Sequence, residues 1–424
     1  MHGTTNMDRE IFPNIEITTH HTSAMSANNT TNLNSHATTI INDEFMKELM
    51  NNLKEDGYVV IPSVISRDES AKLRSQWWSI MSDITSGRIK EGELDGTFVQ
   101  STHFPHEQHG ILTDPAIGQN GVSWAIRTNK NVMRFFRKFH GTNSLMASYD
   151  RVNHQLAGLQ NKRLDCTNEH GKMDESKFVQ KQVTWLHVDQ KPGIEGGWKF
   201  EGIQSFVDLI GTEGEEGSNG GCFVCSPGSH HFNLTKHLQD AQSRGLYNTK
   251  VITQMLKSKI TNPYGFYKFT NEERACLLKQ YPTKRIVSLK DGSPIPPGSM
   301  VVWDSRLFHQ GSKSVGPITR ERLCIYVNME PRPDPIPPTL LAKRVRYFNE
   351  NRSCSHSPVH VKVFGGPQTY GKDVKLPLIL NNKTIQKPKI TRRINQLIGI
   401  TKHRTNKGKG DVTAKPFYRH LLIQ

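Results

Sequence analysis

Asn219-Gly220-Gly221-Cys222-Phe223-Val224-Cys225-Ser226-Pro227-Gly228-Ser229-His230 places a Gly-Gly turn, a short apolar strand and a Pro-Gly turn in immediate succession. Glycine supplies the backbone freedom and proline the fixed φ that tight turns need, so the stretch suits a sharp corner of a barrel. The same punctuation recurs on both sides. Apolar runs at Val183–Val188, Ile203–Ile210, Ile286–Leu289, Met300–Trp303 and Leu323–Met329 are all of strand length and are separated by Gly, Pro and Asn. Several short strands spaced in this way predict a β-sandwich or barrel. The less apolar 232–282 reads as a helical insertion, of the kind that often covers a site.

Upstream, the periodicity is helical. Phe45, Leu49, Met50 and Leu53 share one face of a helix over 43–56, and Leu73, Trp77 and Ile80 share one on a helix starting at Arg67. Between them Tyr58-Val59-Val60-Ile61-Pro62 reads as a strand that Pro62 ends. A helix over 131–139 and a strand over 145–149 follow. Residues 1–40 are Asn-, Thr-, Ser- and His-rich without sustained period and are expected to be a disordered leader. The proline-rich Arg332-Pro333-Asp334-Pro335-Ile336-Pro337-Pro338 marks a boundary. The expected organisation is a leader over 1–40, a catalytic domain over 41–335 and a C-terminal extension over 336–424. A chain of 424 residues allows two or three domains.

The formal charge of +16 is uneven: 381–424 carries eleven Lys/Arg against Asp411 alone, whereas 1–40 is net negative. Such a tail can neutralise phosphates, so a nucleic-acid partner is one expectation. Only Phe417 and Tyr418 stand ready to stack on bases, and a solvated extension is the plainer reading. No apolar run approaches the roughly 18 residues of a membrane span, and the polar N-terminus lacks a signal-peptide core. Six cysteines are too sparse for a disulfide framework. No membrane contact and a cytoplasmic location are expected, with a basic tail that permits nuclear entry.

Three motifs carry chemistry. In Trp185-Leu186-His187-Val188-Asp189, positions 187 and 189 point to one side of a strand, so an imidazole and a carboxylate converge. In Trp303-Asp304-Ser305-Arg306-Leu307-Phe308-His309, a late strand delivers His309 at a turn. Two imidazoles and a carboxylate form the facial triad of non-haem Fe(II) oxygenases. In Arg320-Glu321-Arg322-Leu323-Cys324-Ile325-Tyr326, two arginines of equal parity open the last strand, where a guanidinium can pair bidentately with a dicarboxylate. Alone, each motif is explained as well by a satisfied core histidine or a solvent-facing arginine. Cys222 and Cys225 have an offset that sends them to opposite faces and no second pair for zinc. His103-Phe104-Pro105-His106-Glu107-Gln108-His109 reads as a polar loop.

In their order, His-x-Asp, Pro-Gly-Ser-His, distal His and then Arg resemble the phytanoyl-CoA dioxygenase-like family of Fe(II)/2-oxoglutarate oxygenases, as does Leu53-Lys54-Glu55-Asp56-Gly57-Tyr58-Val59-Val60-Ile61-Pro62. The resemblance spans about 45–330. It implies a mainly β fold with flanking helices around a double-stranded β-helix, a jelly-roll relative of the cupins. It implies Fe(II), 2-oxoglutarate and O2 as cofactor and co-substrates, with His187, Asp189 and His309 as iron ligands. Arg322 is favoured as the 2-oxoglutarate anchor and Arg320 stays open. Gln182, Thr184 and Gln204 are candidates for further 2-oxoglutarate contacts, and Arg127 for a substrate contact. Gly298-Ser299 departs from the family's Gly-Asp. Because Asp189 is present, where halogenases of the family leave room for chloride, the implied reaction is hydroxylation of a small molecule with release of succinate and CO2. Rival readings are a nucleic-acid-directed oxygenase that docks through 381–424, and a non-catalytic scaffold of the same fold.

Overall fold

The strand Val152–Gln155 lies in a seven-stranded sheet, and the next, His187–Gln190, lies in a five-stranded one. The chain then returns to the large sheet for Ile203–Asp208 and enters the small sheet for Phe223–Cys225 and Lys284–Ile286. Ser299–Asp304 joins the large sheet, His309–Gly311 the small one and Arg322–Tyr326 the large one. All pairings in these two sheets are antiparallel. Eight strands alternating between two facing sheets make the double-stranded β-helix, a jelly roll. The computed structural model describes residues 38–87, 89–91, 93–94, 107–108, 110–114, 116–155, 185–192, 198–214, 220–245, 264–312, 321–363, 385, 388–401 and 417. The expected leader over 1–37, most of His103–His109 and most of the basic tail over 381–424 lie outside these.

Alternation along each strand divides the core in two. On the large sheet Val207, Met300, Val302, Leu323 and Ile325 face outward and pack on the N-terminal helices. Their neighbours Phe206, Val301, Trp303 and Cys324 face inward, where they meet Phe223 and Cys225 of the small sheet. A one-residue slip would exchange these two sets, so burial on both faces fixes the register. The small sheet's outer face, with Val188, is covered by Leu234, Leu238 and Leu277 from helices Leu234–Ser243 and Asn271–Gln280. The 232–282 segment therefore contains helices, and it also adds the edge strand Tyr264–Lys268, which pairs with His187–Gln190.

Local signals account for the helices. Asn42 caps Asp43–Asp56 by accepting from the Phe45 N–H, and Gly57 ends it in the left-handed region at φ 79°. Met46, Leu49, Met50 and Leu53 are its buried stripe, and Phe45 is only partly buried at its margin. In Arg67–Ile84, Leu73, Trp77, Trp78 and Met81 are buried and Ile80 lies at the edge. Each face is rotated slightly from the sequence expectation because the stripe spans more than 100° and marginal apolar residues can fall on either side of it. The expected helix at 131–139 is Lys130–His140, and the expected strand at 145–149 is Leu145–Ala147.

Beyond Pro335, helices Pro338–Asn349 and Arg392–Ile398 place Tyr347, Phe348, Ile394, Leu397 and Ile398 in the same core cluster as the large sheet. Arg344 is buried and donates to the carbonyls of Ala147, Pro358, Leu397 and Ile398. This one guanidinium ties both C-terminal helices to the strand Leu145–Ala147 and holds the intervening Ser353–Pro358 segment against the barrel. No helix among the described residues is long and apolar enough to cross a membrane.

Candidate functional site

His187 and His309 sit directly opposite one another on adjacent antiparallel strands of the small sheet. Asp189, two residues along from His187, projects to the same side. The three side chains offer ligand atoms within 4.8 Å of one another, and all three residues are buried. His309 Nε2 lies 3.0 Å from Asp189 Oδ2 and His187 Nε2 lies 3.4 Å from Asp189 Oδ1.

The other nitrogen of each ring is committed. His187 Nδ1 is 3.0 Å from the Trp185 carbonyl and His309 Nδ1 is 2.9 Å from the Leu307 carbonyl. A carbonyl can only accept, so each Nδ1 carries the proton and each Nε2 is turned to the centre. Burial, with His309 beside it, pushes His187 below its ordinary pKa and keeps the ring neutral. Burial alone would raise the Asp189 carboxyl, but His309 and His187 hold it well below the usual carboxylate range. The Trp303 indole N–H donates to Asp189 Oδ2 at 3.1 Å and fixes its rotation. Two imidazole nitrogens and an ionised carboxylate converging from three buried residues fit a divalent cation. With two histidines and one carboxylate the donor set suits non-haem Fe(II).

Asp189 also lines a cavity of about 280 Å³ between the sheets' open end and the C-terminal segment. Its wall includes Gln190, Phe200, Ile203, Gln204 and Ser305 from the barrel, and His356 and Ser357 from beyond the proline-rich boundary. Gln204 is 6% exposed and its Oε1 has no hydrogen-bond partner.

Arg322 opens the last barrel strand with its side chain inward, 2% exposed, over the Phe206 ring at 5.4 Å. Its Nε and Nη1 have no partner, which is costly for a buried guanidinium unless an anion completes the site. Burial opposes its charge, but Cys324, Tyr326 and Asp208 around it more than compensate, so it stays protonated. A continuous set of rings links it to the triad: Phe206 meets Phe223 and Trp303, and both of these meet His309. Arg320, Thr184 and Gln182 lie outside the described residues.

Arg127 takes a different place from the substrate contact expected of it. It is fully buried, donates to the Gly118 and Asp150 carbonyls at 2.6 and 3.0 Å, and packs on Trp124. It is not part of the cavity wall. Burial lowers its pKa to about 10, so it remains charged and braces the turn that carries Asp150. Cys222 and Cys225 are buried free thiols; Cys222 Sγ lies 3.3 Å from Ser312 Oγ. In the Pro-Gly-Ser-His corner, Ser229 Oγ accepts from the Phe308 N–H, and His230 Nε2 meets the Lys54 carbonyl at 2.9 Å. That corner secures the strand carrying His309 and the end of the first helix.

Most of the cavity's lining carries no motif in the sequence, Asn328, Glu330, His356 and Ser357 among it. Asn328 and Glu330 follow the last barrel strand at the i, i+2 spacing that could have betrayed them. His356 and Ser357 come from a segment with no motif of its own. His356 Nδ1 pairs with the buried Asp150 carboxylate. Burial opposes the His356 proton, but Asp150 outweighs it and the pKa is raised.

No protein-family model and no curated protein matches the chain. Among solved structures it is similar to the non-heme alpha ketoglutarate dependent epimerase SnoN from nogalamycin biosynthesis, at 9% identity, covering 69% of this chain and 84% of that one with a TM-score of 0.32. It is similar to HygX from Streptomyces hygroscopicus with nickel and 2-oxoglutarate bound, at 12% identity, 67% and 87% coverage and a TM-score of 0.38. It is also similar to EctD from S. alaskensis, at 15% identity, 69% and 81% coverage and a TM-score of 0.34. Likeness this distant carries no weight for activity or substrate.

Proposed function

We propose that the chain is an Fe(II)- and 2-oxoglutarate-dependent dioxygenase that hydroxylates a small molecule. The observation that carries this reading is the convergence of His187, Asp189 and His309, with both Nδ1 protons pinned to backbone carbonyls and both Nε2 atoms turned inward. Those three side chains would hold Fe(II) on one face. When bound with 2-oxoglutarate and O2, the iron supplies oxidative chemistry that releases succinate and CO2 and places an oxygen atom on a substrate carbon.

The chain's own part is positioning. Arg322, buried with two unpartnered N–H groups, would take a carboxylate of 2-oxoglutarate bidentately. Arg320 stays the alternative anchor, Thr184 is proposed as a further contact, and Gln204 would place its side chain on the co-substrate from the cavity wall. Trp303 holds Asp189 in the rotamer that faces the histidines. The aromatic lining of Phe206, Phe223 and Trp303 keeps water from the site. A cavity near the lower end of the ligand-pocket range favours a small substrate over a macromolecular one.

The test is anaerobic calorimetry of 2-oxoglutarate binding to protein with and without Fe(II). Saturable binding that needs both Fe(II) and Arg322 is expected. Equal binding by the metal-free protein and by Arg322→Ala would contradict the assignment.

A further inference from the structure

The cavity beside Asp189 is finished, on the side away from the barrel, by hydrogen-bond acceptors. Asn328 is 6% exposed. Its Nδ2 faces two acceptors, Glu330 Oε1 at 3.4 Å and the His356 carbonyl at 3.2 Å. Both partners can only accept while Glu330 is ionised, so the amide's orientation is set and Oδ1 is its free end. That Oδ1 is buried without a partner. The Glu330 carboxylate stands two residues along, where Oε2 accepts from Ser357 Oγ at 3.1 Å.

The positive groups nearby are already engaged. His356 is paired with Asp150. His140 has its Nε2 on the Met329 carbonyl at 2.8 Å, and burial pushes its pKa down to about 4, so it is neutral. Arg344, which bears on Glu330 electrostatically, spends its guanidinium on four backbone carbonyls. The cavity wall thus offers a carboxylate and an unsatisfied amide oxygen, with the rings of Phe139 and Phe200 beside them. An anion would meet no unengaged cation here among the described residues. A protonated amine would satisfy both oxygens and gain from the aromatic faces.

We infer that the substrate of the proposed oxygenase is a small amine whose ammonium group is received by Glu330 and Asn328, leaving its carbon chain to reach toward the triad. The inference rests on the oxygenase reading, because it takes the cavity at Asp189 as the substrate's place. Glu330 and Asn328 would set which molecule enters and how it lies, while His187, Asp189 and His309 would remain the reacting centre.

Calorimetry on the full chain above about pH 7, where the buried Glu330 is ionised, metal-free and then loaded with Fe(II) and 2-oxoglutarate without oxygen, tests this with three probes of equal length and different charge: 1,5-diaminopentane, 1,5-pentanediol and glutarate. The diamine is expected to bind in both states, and most tightly of the three in the loaded protein, where 2-oxoglutarate already occupies Arg322. Glu330→Gln should weaken it by about tenfold or more, the loss of a charge-assisted hydrogen bond. Glu330→Asp, which keeps the charge, should retain most of the binding, and 2-oxoglutarate affinity should be unchanged in both variants. In the protein already loaded with 2-oxoglutarate, where Arg322 is taken, the diol or glutarate binding as tightly as the diamine, diamine binding indifferent to Glu330→Gln, or no diamine binding at millimolar concentration would each overturn the amine. Because 2-oxoglutarate binding is read separately, its failure in the wild type would mark failure of the oxygenase reading instead.

Discussion

The imidazoles of His187 and His309 face each other across a single strand pairing, ring centroids 4.2 Å apart, at the same register position. Residues 122 apart in sequence thereby become a chelating pair, and the two strands are held from behind by Val188 and Phe308 in a separate apolar cluster. The geometry of the metal site is therefore a property of sheet register, and flexible loops contribute little to it.

Trp303 should matter to the metal without touching it. Trp303→Phe removes the indole N–H that holds Asp189 Oδ2. Fe(II) affinity, measured by calorimetry, is expected to fall about 10- to 100-fold, the usual effect of losing an outer hydrogen bond to a ligand. An unchanged affinity would mean that Asp189 is oriented by His187 and His309 alone.

Arg322→Lys keeps the charge and discards the fork. Lysine cannot make two parallel N–H bonds to one carboxylate. The expected result is a rise of about tenfold or more in the Kd for 2-oxoglutarate with Fe(II) binding intact. Equal loss of both would show that Arg322 supports the fold of the inner face.

Glu330 gives a pH signature in stability. Burial pushes its pKa up to about 7 from an ordinary 4.5, with the Ser357 hydroxyl and Arg344 working against the rise. The folded state thus holds this proton more tightly than the unfolded state. Its contribution is full below about pH 4.5 and is lost as pH rises through about 7. Glu330→Gln removes that loss. Thermal unfolding of the variant minus wild type should therefore shift toward the variant between about pH 5 and about pH 8, by roughly 1–2 kcal/mol after allowance for partial exposure. A pH-independent difference would contradict the assignment.

Gly57 is fixed by two demands. It ends the first helix at φ 79°, and a Cβ there would lie 2.5 Å from His230 Nδ1 and 2.8 Å from Leu307. Gly57→Ala should cost at least about 2 kcal/mol in urea unfolding, combining the left-handed backbone with the clash. A change under about 0.5 kcal/mol would show that the corner can open.

Much of this was readable in the residues because it rests on short-range chemistry. Strand parity brought His187 and Asp189 together, turn residues spaced the barrel strands, and Arg322 lay at the start of an apolar run. His309 could be placed at a turn but not opposite His187, since register across two strands is a tertiary property. The amine-facing wall was hidden for the same reason. Asn328 and Glu330 carry a spacing but no motif, and His356 reaches the cavity only because Arg344 folds the segment beyond Pro335 back onto the strand Leu145–Ala147. Arg127 stood out only because its segment, 124–129, resembles one in relatives of the family; in the fold it is buried and donates to two backbone carbonyls.

The central claim is most directly tested by succinate formation from 2-oxoglutarate under air with Fe(II), comparing the wild type with His187→Ala and adding 1,5-diaminopentane as a trial substrate. Succinate that requires Fe(II), falls by at least about a hundredfold in the variant and rises with the amine is the expected result. Succinate formed equally by both proteins, or a wild type that binds Fe(II) and 2-oxoglutarate yet yields no succinate even slowly and uncoupled, would contradict it.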